Sequence, residues 1–206
     1  MAKDKRISAL FLDIGGVLLT NGWDRNMRKK AADHFHLDYD ELNERHHMTF
    51  DTYEEGKLSL EEYLNLVVFH EKRSFTPDNF KEFLFSQTQP LPEMIKMFKK
   101  IAKNNTLKIG AISNEGRELT VYRIGHFGLK EFIQFFICSS FVHFRKPDKD
   151  IYMLALDVGQ VTPEQSLYID DRKLHVEVAR SIGMNAIQHV DIETTKQKLS
   201  KYGLTE

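Results

Sequence analysis

The chain has 206 residues, 41% of them hydrophobic and 29% charged, which allows one domain carrying a large insertion or two small domains sharing a hinge. Its net charge of −1, with acids and bases well mixed and no basic tract or acidic tail, argues against nucleic acid or an anionic membrane surface as partner. No run approaches the ~20 apolar residues of a membrane helix, and the single cysteine, Cys138, excludes an intramolecular disulfide framework and fits a reducing compartment.

The first residues, Lys3, Lys5 and Arg6 before an apolar segment, resemble the start of a signal peptide. Asp13 interrupts that segment and no small-residue cleavage site follows promptly, so the expected location is cytoplasmic. Residues 9–12 are a short apolar run, closed by Asp13 and then by Gly15 and Gly16. This pattern reads as a buried strand ending in a turn, with Asp13 either capping that turn or facing a ligand at the strand's carboxyl end.

The texture then changes. Met27, Ala31 and Phe35 repeat at helical spacing, as do Leu60, Tyr63, Leu64, Val67 and Val68, and again Phe80, Phe83 and Leu84. Ser59 with Glu62 resembles a capping box, and Thr76-Pro77-Asp78 is a helix start signal. With no strand in it, this stretch is expected to be an all-helical insertion whose Met, His and aromatic residues form its own small core; the alternative is that a few of them face a substrate.

Pro90 and Pro92 mark the return. Met94, Met97, Phe98 and Ile101 form a helix stripe that Asn104-Asn105 ends, and residues 107–112 form a second strand. A helix to about His126, a strand at 135–138 containing Cys138 as core, and a helix over 150–158 follow. A strand over 166–169 runs into Asp170-Asp171. Leu174, Val178 and Ile182 mark a helix stopped by Gly183, and residues 185–188 a last strand before a charged C-terminal helix. Strands alternating with helices imply an α/β fold, a doubly wound, Rossmann-like parallel sheet covered on both faces.

Four strand ends carry polar residues: Asp13, Ser113-Asn114, Lys146 shortly after its strand, and Asp170-Asp171. Taken singly, these are a turn residue, a helix cap, a solvated charge and a helix N-terminus. Together, a doubly wound sheet brings them to one crevice. Carboxylates with an oxygen-rich loop suit Mg2+, a hydroxyl and an ammonium suit phosphate oxygens, and Asp13 is then free to act as a nucleophile.

In these residues the chain resembles the haloacid dehalogenase-like hydrolases. Asp13-Ile14-Gly15-Gly16-Val17 is a variant of their first motif, Ile112-Ser113-Asn114 is similar to the second, Lys146-Pro147-Asp148-Lys149-Asp150-Ile151-Tyr152 to the third, and Tyr168-Ile169-Asp170-Asp171 to the fourth. The resemblance implies a core domain of residues 1–21 and 91–206 with a helical cap, residues 22–90, between the first and second motifs. It implies Asp13 as nucleophile and metal ligand, the Gly15 carbonyl and Asp171 as further ligands of Mg2+, and Ser113, Asn114 and Lys146 around the substrate phosphate. Asp170 would act through the metal's waters.

Two departures stand out. Gly15 replaces the acid that serves as general acid/base in the family's phosphatases, and His175 stands where an Asp or Asn is usual. The implied function is a Mg2+-dependent phosphatase of a small phosphorylated metabolite, acting through an aspartyl phosphate. The alternatives are a catalytically weak module binding a phosphometabolite or a protein, and a carbon–halogen hydrolase, which Gly15 fits poorly. Substrate identity and oligomeric state are not encoded in these motifs.

Overall fold

Strand β1 (Ala9–Leu12) is the centre of the sheet, and its alternation explains why it reads as an unbroken apolar run. Leu10 and Leu12 point to one face, Ala9 and Phe11 to the other, and both faces are covered. The computed structural model describes residues 6–205; the expected basic leader at Lys3 and Lys5 lies outside the described residues.

After β1 come four helices, α1 (Arg25–Phe35), α2 (Tyr39–Glu54), α3 (Leu60–Val67) and α4 (Pro77–Ser86). The chain continues as α5 (Pro92–Asn104), β2 (Lys108–Ser113), α6 (Arg117–His126), β3 (Phe135–Cys138), the short α7 (Ser139–Val142), α8 (Lys149–Gly159), β4 (Ser166–Asp170), α9 (Lys173–Ser181), β5 (Asn185–Gln188) and α10 (Ile192–Ser200). The strands are all parallel, in the order β3-β2-β1-β4-β5. On one face Met97 and Phe98 of α5 and Leu199 of α10 pack against Leu10 and Leu12. On the other, Ile151, Tyr152 and Ala155 of α8 and Val176 and Ala179 of α9 pack against Phe11 and Tyr168.

From β1 the chain builds β2 and β3 on one side, then crosses to build β4 and β5 on the other. That reversal opens a crevice beyond the carboxyl ends of the strands. Register fixes what stands there. Leu12 pairs with Ala111 and Ile169, and the Asp13 amide donates to the Ile169 carbonyl at 2.9 Å, so Asp13 lies level with Asp170. Both β2 and β4 run one residue further than their apolar runs, because Ser113 still pairs with Cys138 and Asp170 with Gln188.

The four-helix stretch has a core of its own, including Trp23, Leu42, Tyr53, Tyr63, Leu64 and Phe80. Its helices start where the sequence signals lie: Ser59 and Glu62 form a capping box, and Thr76 caps α4 with Pro77 in the first turn. Helix α2 has no apolar stripe to announce it. Its buried residues are Leu42, His46 and Tyr53, set among charges. The chain leaves and re-enters the sheet side by side. The Thr20 amide donates to the Gln89 carbonyl at 2.8 Å, and the Gln89 amide to Thr20 Oγ1 at 2.9 Å. The end of α2 is also tied to the sheet side, through Ser139 Oγ donating to the Glu54 carbonyl at 2.6 Å and Arg145 Nη2 to Glu54 Oε2 at 2.6 Å. Among the described residues no helix is long and apolar enough to cross a membrane.

Candidate active site

The carboxylates of Asp13, Asp170 and Asp171 each offer an oxygen within 4.8 Å of the others. Lys146 Nζ stands among them, 3.0 Å from Asp13 Oδ2 and 2.8 Å from Asp170 Oδ2, and donates also to the Ile112 carbonyl at 3.1 Å. Although it follows β3 by eight residues in the sequence, its side chain is only 2% exposed. The loop that carries it is pinned by Asn114. Asn114 Nδ2 donates to the Lys146 carbonyl and the Lys146 amide to Asn114 Oδ1, both at 2.8 Å. Asn114 therefore positions Lys146 with its whole carboxamide, while Ser113 is left at the cavity wall.

The two adjacent acids have unlike surroundings. Asp170 is fully buried and accepts from Lys146 Nζ, Tyr168 Oη, the Arg172 amide at 2.7 Å and His175 Nδ1 at 3.1 Å. Asp171 is half-buried, and its Oδ1 is shielded from solvent with no hydrogen-bond partner. Gly16 has φ +73°, and a Cβ there would lie 2.5 Å from Asp171 Cγ, so only glycine lets the first loop close against this carboxylate. An all-oxygen cluster with one orphaned carboxylate oxygen fits a Mg2+ ion, and Asp13, Asp171 and the carbonyl of the adjoining Gly15 are the groups available to hold it.

Burial raises the Asp13 pKa to about 7; Lys146 opposes the shift and Asp170 adds to it. For Asp170 burial acts upward too, but Lys146 and His175 outweigh it and hold the carboxyl well below its usual range. Lys146 is pulled down by burial and carried above its ordinary value by Asp13 and Asp170. The floor is thus an ammonium between carboxylates, and His175, lowered chiefly by burial, is turned onto Asp170.

Above the floor lies a cavity of about 400 Å³ bounded by α1 and α2 of the insertion, with Arg28, His46 and Phe50 on that wall. Near Gly15 the wall is Glu115 and Arg123, paired at 3.2 Å and both buried. The structure therefore brings Asp13, Gly15, Ser113, Asn114, Lys146 and His175 to one cavity, with Asp170 and Asp171 beneath it. Sequence reasoning missed Glu115, Arg123, Tyr168, Arg28 and His46. Tyr168 stands inside the fourth motif and Glu115 directly after the second, which was a usable signal; Arg28 and His46 sit in charged helices that give none.

Residues 27–189 match the family model described as haloacid dehalogenase-like hydrolase. Among curated proteins, a flavin mononucleotide hydrolase of Arabidopsis thaliana is 26% identical over 160 residues, covering 78% of this chain and 64% of that one. A phosphorylated carbohydrates phosphatase of Thermotoga maritima is 26% identical over 136 residues, covering 66% and 58%. The chain thus spans less than two thirds of the length of either relative. Among solved structures, a predicted hydrolase of this type from Porphyromonas gingivalis superposes with a TM-score of 0.76 at 18% identity, covering 97% of this chain and 99% of that one. A Bacteroides thetaiotaomicron enzyme of the family, solved with magnesium and inorganic phosphate, gives 0.73 at 16% identity, covering 89% and 94%.

Proposed function

The chain belongs to the haloacid dehalogenase-like hydrolases, and on that premise we propose that it is a Mg2+-dependent phosphatase of a small phosphorylated metabolite. The observation that carries this reading is the cluster of Asp13, Asp170 and Asp171 around one buried lysine, at the closed end of a cavity. The relatives named for flavin mononucleotide and for phosphorylated carbohydrates support it.

In this reading Asp13 is the nucleophile. The Ile14 amide donates to its Oδ1 at 2.7 Å, and Oδ2 faces Lys146. Its carboxylate attacks phosphorus, the P–O bond to the leaving group breaks, and the phosphoryl group passes to Asp13 as an acyl phosphate. Lys146 Nζ and Ser113 Oγ hold the phosphoryl oxygens, and Asn114 holds Lys146 in place. Water then attacks phosphorus, releasing phosphate and restoring the carboxylate. With glycine at position 15, the departing oxygen draws its proton from solvent or from another group in the cavity. Mg2+ held by Asp13, the Gly15 carbonyl and Asp171 would supply charge to offset the crowding of carboxylate and phosphate. Asp170 serves instead as the fixed partner of Lys146 and His175.

Residues 22–90 are the cap in this reading and residues 1–21 and 91–206 the core, the cap closing the cavity against water. A second reading, a phosphate-binding module of low activity, is favoured by Gly15 alone. A panel of aryl and alkyl phosphates assayed with and without Mg2+ separates the two: the phosphatase turns over repeatedly and only with the metal, and a binding module releases little or no phosphate with or without it.

A further inference from the structure

Among the described residues, the buried cations at the wall of this cavity each touch a carboxyl group, with one exception. Lys146 has Asp13 and Asp170, Arg123 has Glu115, and the half-buried Arg145 has Glu54 and Asp51. Arg28, on α1, is 6% exposed, and its hydrogen bonds go to two neutral oxygens: Trp23 O at 2.8 Å, and Asn43 Oδ1 at 3.1 and 3.3 Å. A guanidinium has five N–H donors, and three are used here. A buried cation with no carboxylate in contact costs free energy that a bound anion would recover.

Beside it on the same wall is His46 of α2, stacked on Phe50 with ring centroids 5.1 Å apart. The network behind His46 fixes its proton. Trp23 Nε1, which can only donate, gives its hydrogen to Tyr63 Oη at 2.7 Å. Tyr63 is fully buried, and the remaining partner of its hydroxyl is His46 Nδ1 at 2.7 Å. The tyrosine hydrogen must go there, so Nδ1 accepts and the ring proton resides on Nε2. Burial, with Arg28 and His47, also lowers the His46 pKa to about 3, leaving a neutral ring with one outward donor. The neighbouring acids Asp24 and Glu54 favour the charged form of Arg28 only from a distance, since Asp24 caps α1 through the Met27 amide and Glu54 is held by Arg145.

We propose that Arg28 and His46 form a second anion site in the cap wall, and that the substrate is a phosphate ester whose leaving group carries a carboxylate or a second phosphate. The assignment rests on the phosphatase reading above and adds to it the chemistry of the leaving group. The floor takes the reacting phosphoryl group, and the wall takes the far end of the molecule. A cavity of about 400 Å³ spanning both restricts that molecule to a compact one.

The test uses matched esters that differ only at the far end: 3-phosphoglycerate against glycerol 3-phosphate for a carboxylate, and 1,3-propanediol bisphosphate against 3-hydroxypropyl phosphate for a second phosphate. In at least one pair the charged member should have a kcat/KM at least about tenfold higher, the lower end for charge-assisted hydrogen bonds. The pair that shows it identifies the anion. Arg28→Gln should cut that ratio by about tenfold. Asn43→Asp is the decisive companion, because it keeps the bonds of Arg28 and puts a carboxylate in contact with it. It should fold at least as well as the wild type and lose the preference too, whereas a purely structural Arg28 would leave the ratio unmoved. Equal kcat/KM within both pairs, or an Asn43→Asp ratio equal to wild type, overturns the second anion site and leaves the phosphatase reading standing. If neither the four esters nor aryl phosphates are hydrolysed, both are overturned.

Discussion

A Cβ placed on Gly15 would lie 3.8 Å from Arg123 Nη2, and 3.0 Å from Asn21 Oδ1. The left-handed backbone in this loop belongs to Gly16, not Gly15, so position 15 accepts a side chain once the Asn21 amide turns aside. Gly15→Asp should therefore fold, and should raise turnover of an alkyl phosphate by about tenfold, a modest part of what a positioned general acid contributes. Arg123 stabilises the ionised form of the new acid, so the gain is largest toward the acid end of the working range. Steady-state rates with a melting curve check this. A folded, Mg2+-binding variant with no gain would show that another group, with His175 the first suspect, already supplies the proton; Asp170, buried and held ionised by Lys146 and His175, has none to give.

Asp170 and Asp171 should separate cleanly on substitution. Asp171→Asn removes the charge of the carboxylate with the orphaned oxygen and should raise the Mg2+ concentration needed for half-maximal activity by at least about tenfold, the scale of one charged contact. Asp170→Ala strips Lys146, Tyr168 and His175 of their shared acceptor and should cost about 3–5 kcal/mol of stability, as breaking a buried pair does. Mg2+ titration alongside denaturant unfolding tests both. A larger loss of Mg2+ affinity in the Asp170 variant would reverse the assignment.

The sheet and its crevice were legible in the sequence because a strand buried on both faces is a plain apolar run, and a polar residue at its end stands out. Asp13, Ser113 and Asp170 are such residues. Lys146 was found through its family-like sequence context, since nothing in a lone lysine announces a side chain 2% exposed. The cap wall was not legible. Helix α2 buries a leucine, a histidine and a tyrosine at 42, 46 and 53, too sparse and too polar to make a stripe. Arg28 lies in a helix with three other charged residues within its first six positions, where only the fold distinguishes the one arginine that turns inward.

Glu115 gives the stability a pH signature. Burial, opposed by Arg123 and reinforced by Glu54, pushes its carboxyl from 4.5 up to about 7. Between those values the unfolded chain ionises while the folded one stays protonated, so unfolding releases a proton and stability falls as pH rises. Glu115→Gln keeps the neutral shape and removes that fall. The Tm of the variant minus that of the wild type should move in the variant's favour from pH 5 to pH 8. Movement in the opposite sense would mean that the ion pair with Arg123 outweighs burial.

The crossings between core and insertion are expected to act as hinges. Thr20-Asn21-Gly22 and Gln89-Pro90 are turn-rich or proline-bearing, and they are joined by the Thr20 amide on the Gln89 carbonyl and the Gln89 amide on Thr20 Oγ1. A hinge with both strands side by side permits rotation while Arg145 and Ser139 latch the far end onto Glu54. Hydrogen exchange at both crossings should slow when a phosphate mimic such as a magnesium fluoride binds. Unchanged exchange there would mark residues 22–90 as a fixed subdomain.

The central claim is that Asp13 carries the phosphoryl group, and the most direct measurement is acid quenching during turnover of an aryl phosphate with Mg2+, followed by peptide mass mapping. One phosphoryl group should appear on the peptide containing Asp13, disappear on treatment with hydroxylamine, and be absent in Asp13→Asn, which should fold normally and release no phosphate. Wild-type turnover by Asp13→Asn, or the label on any other peptide, would contradict the account.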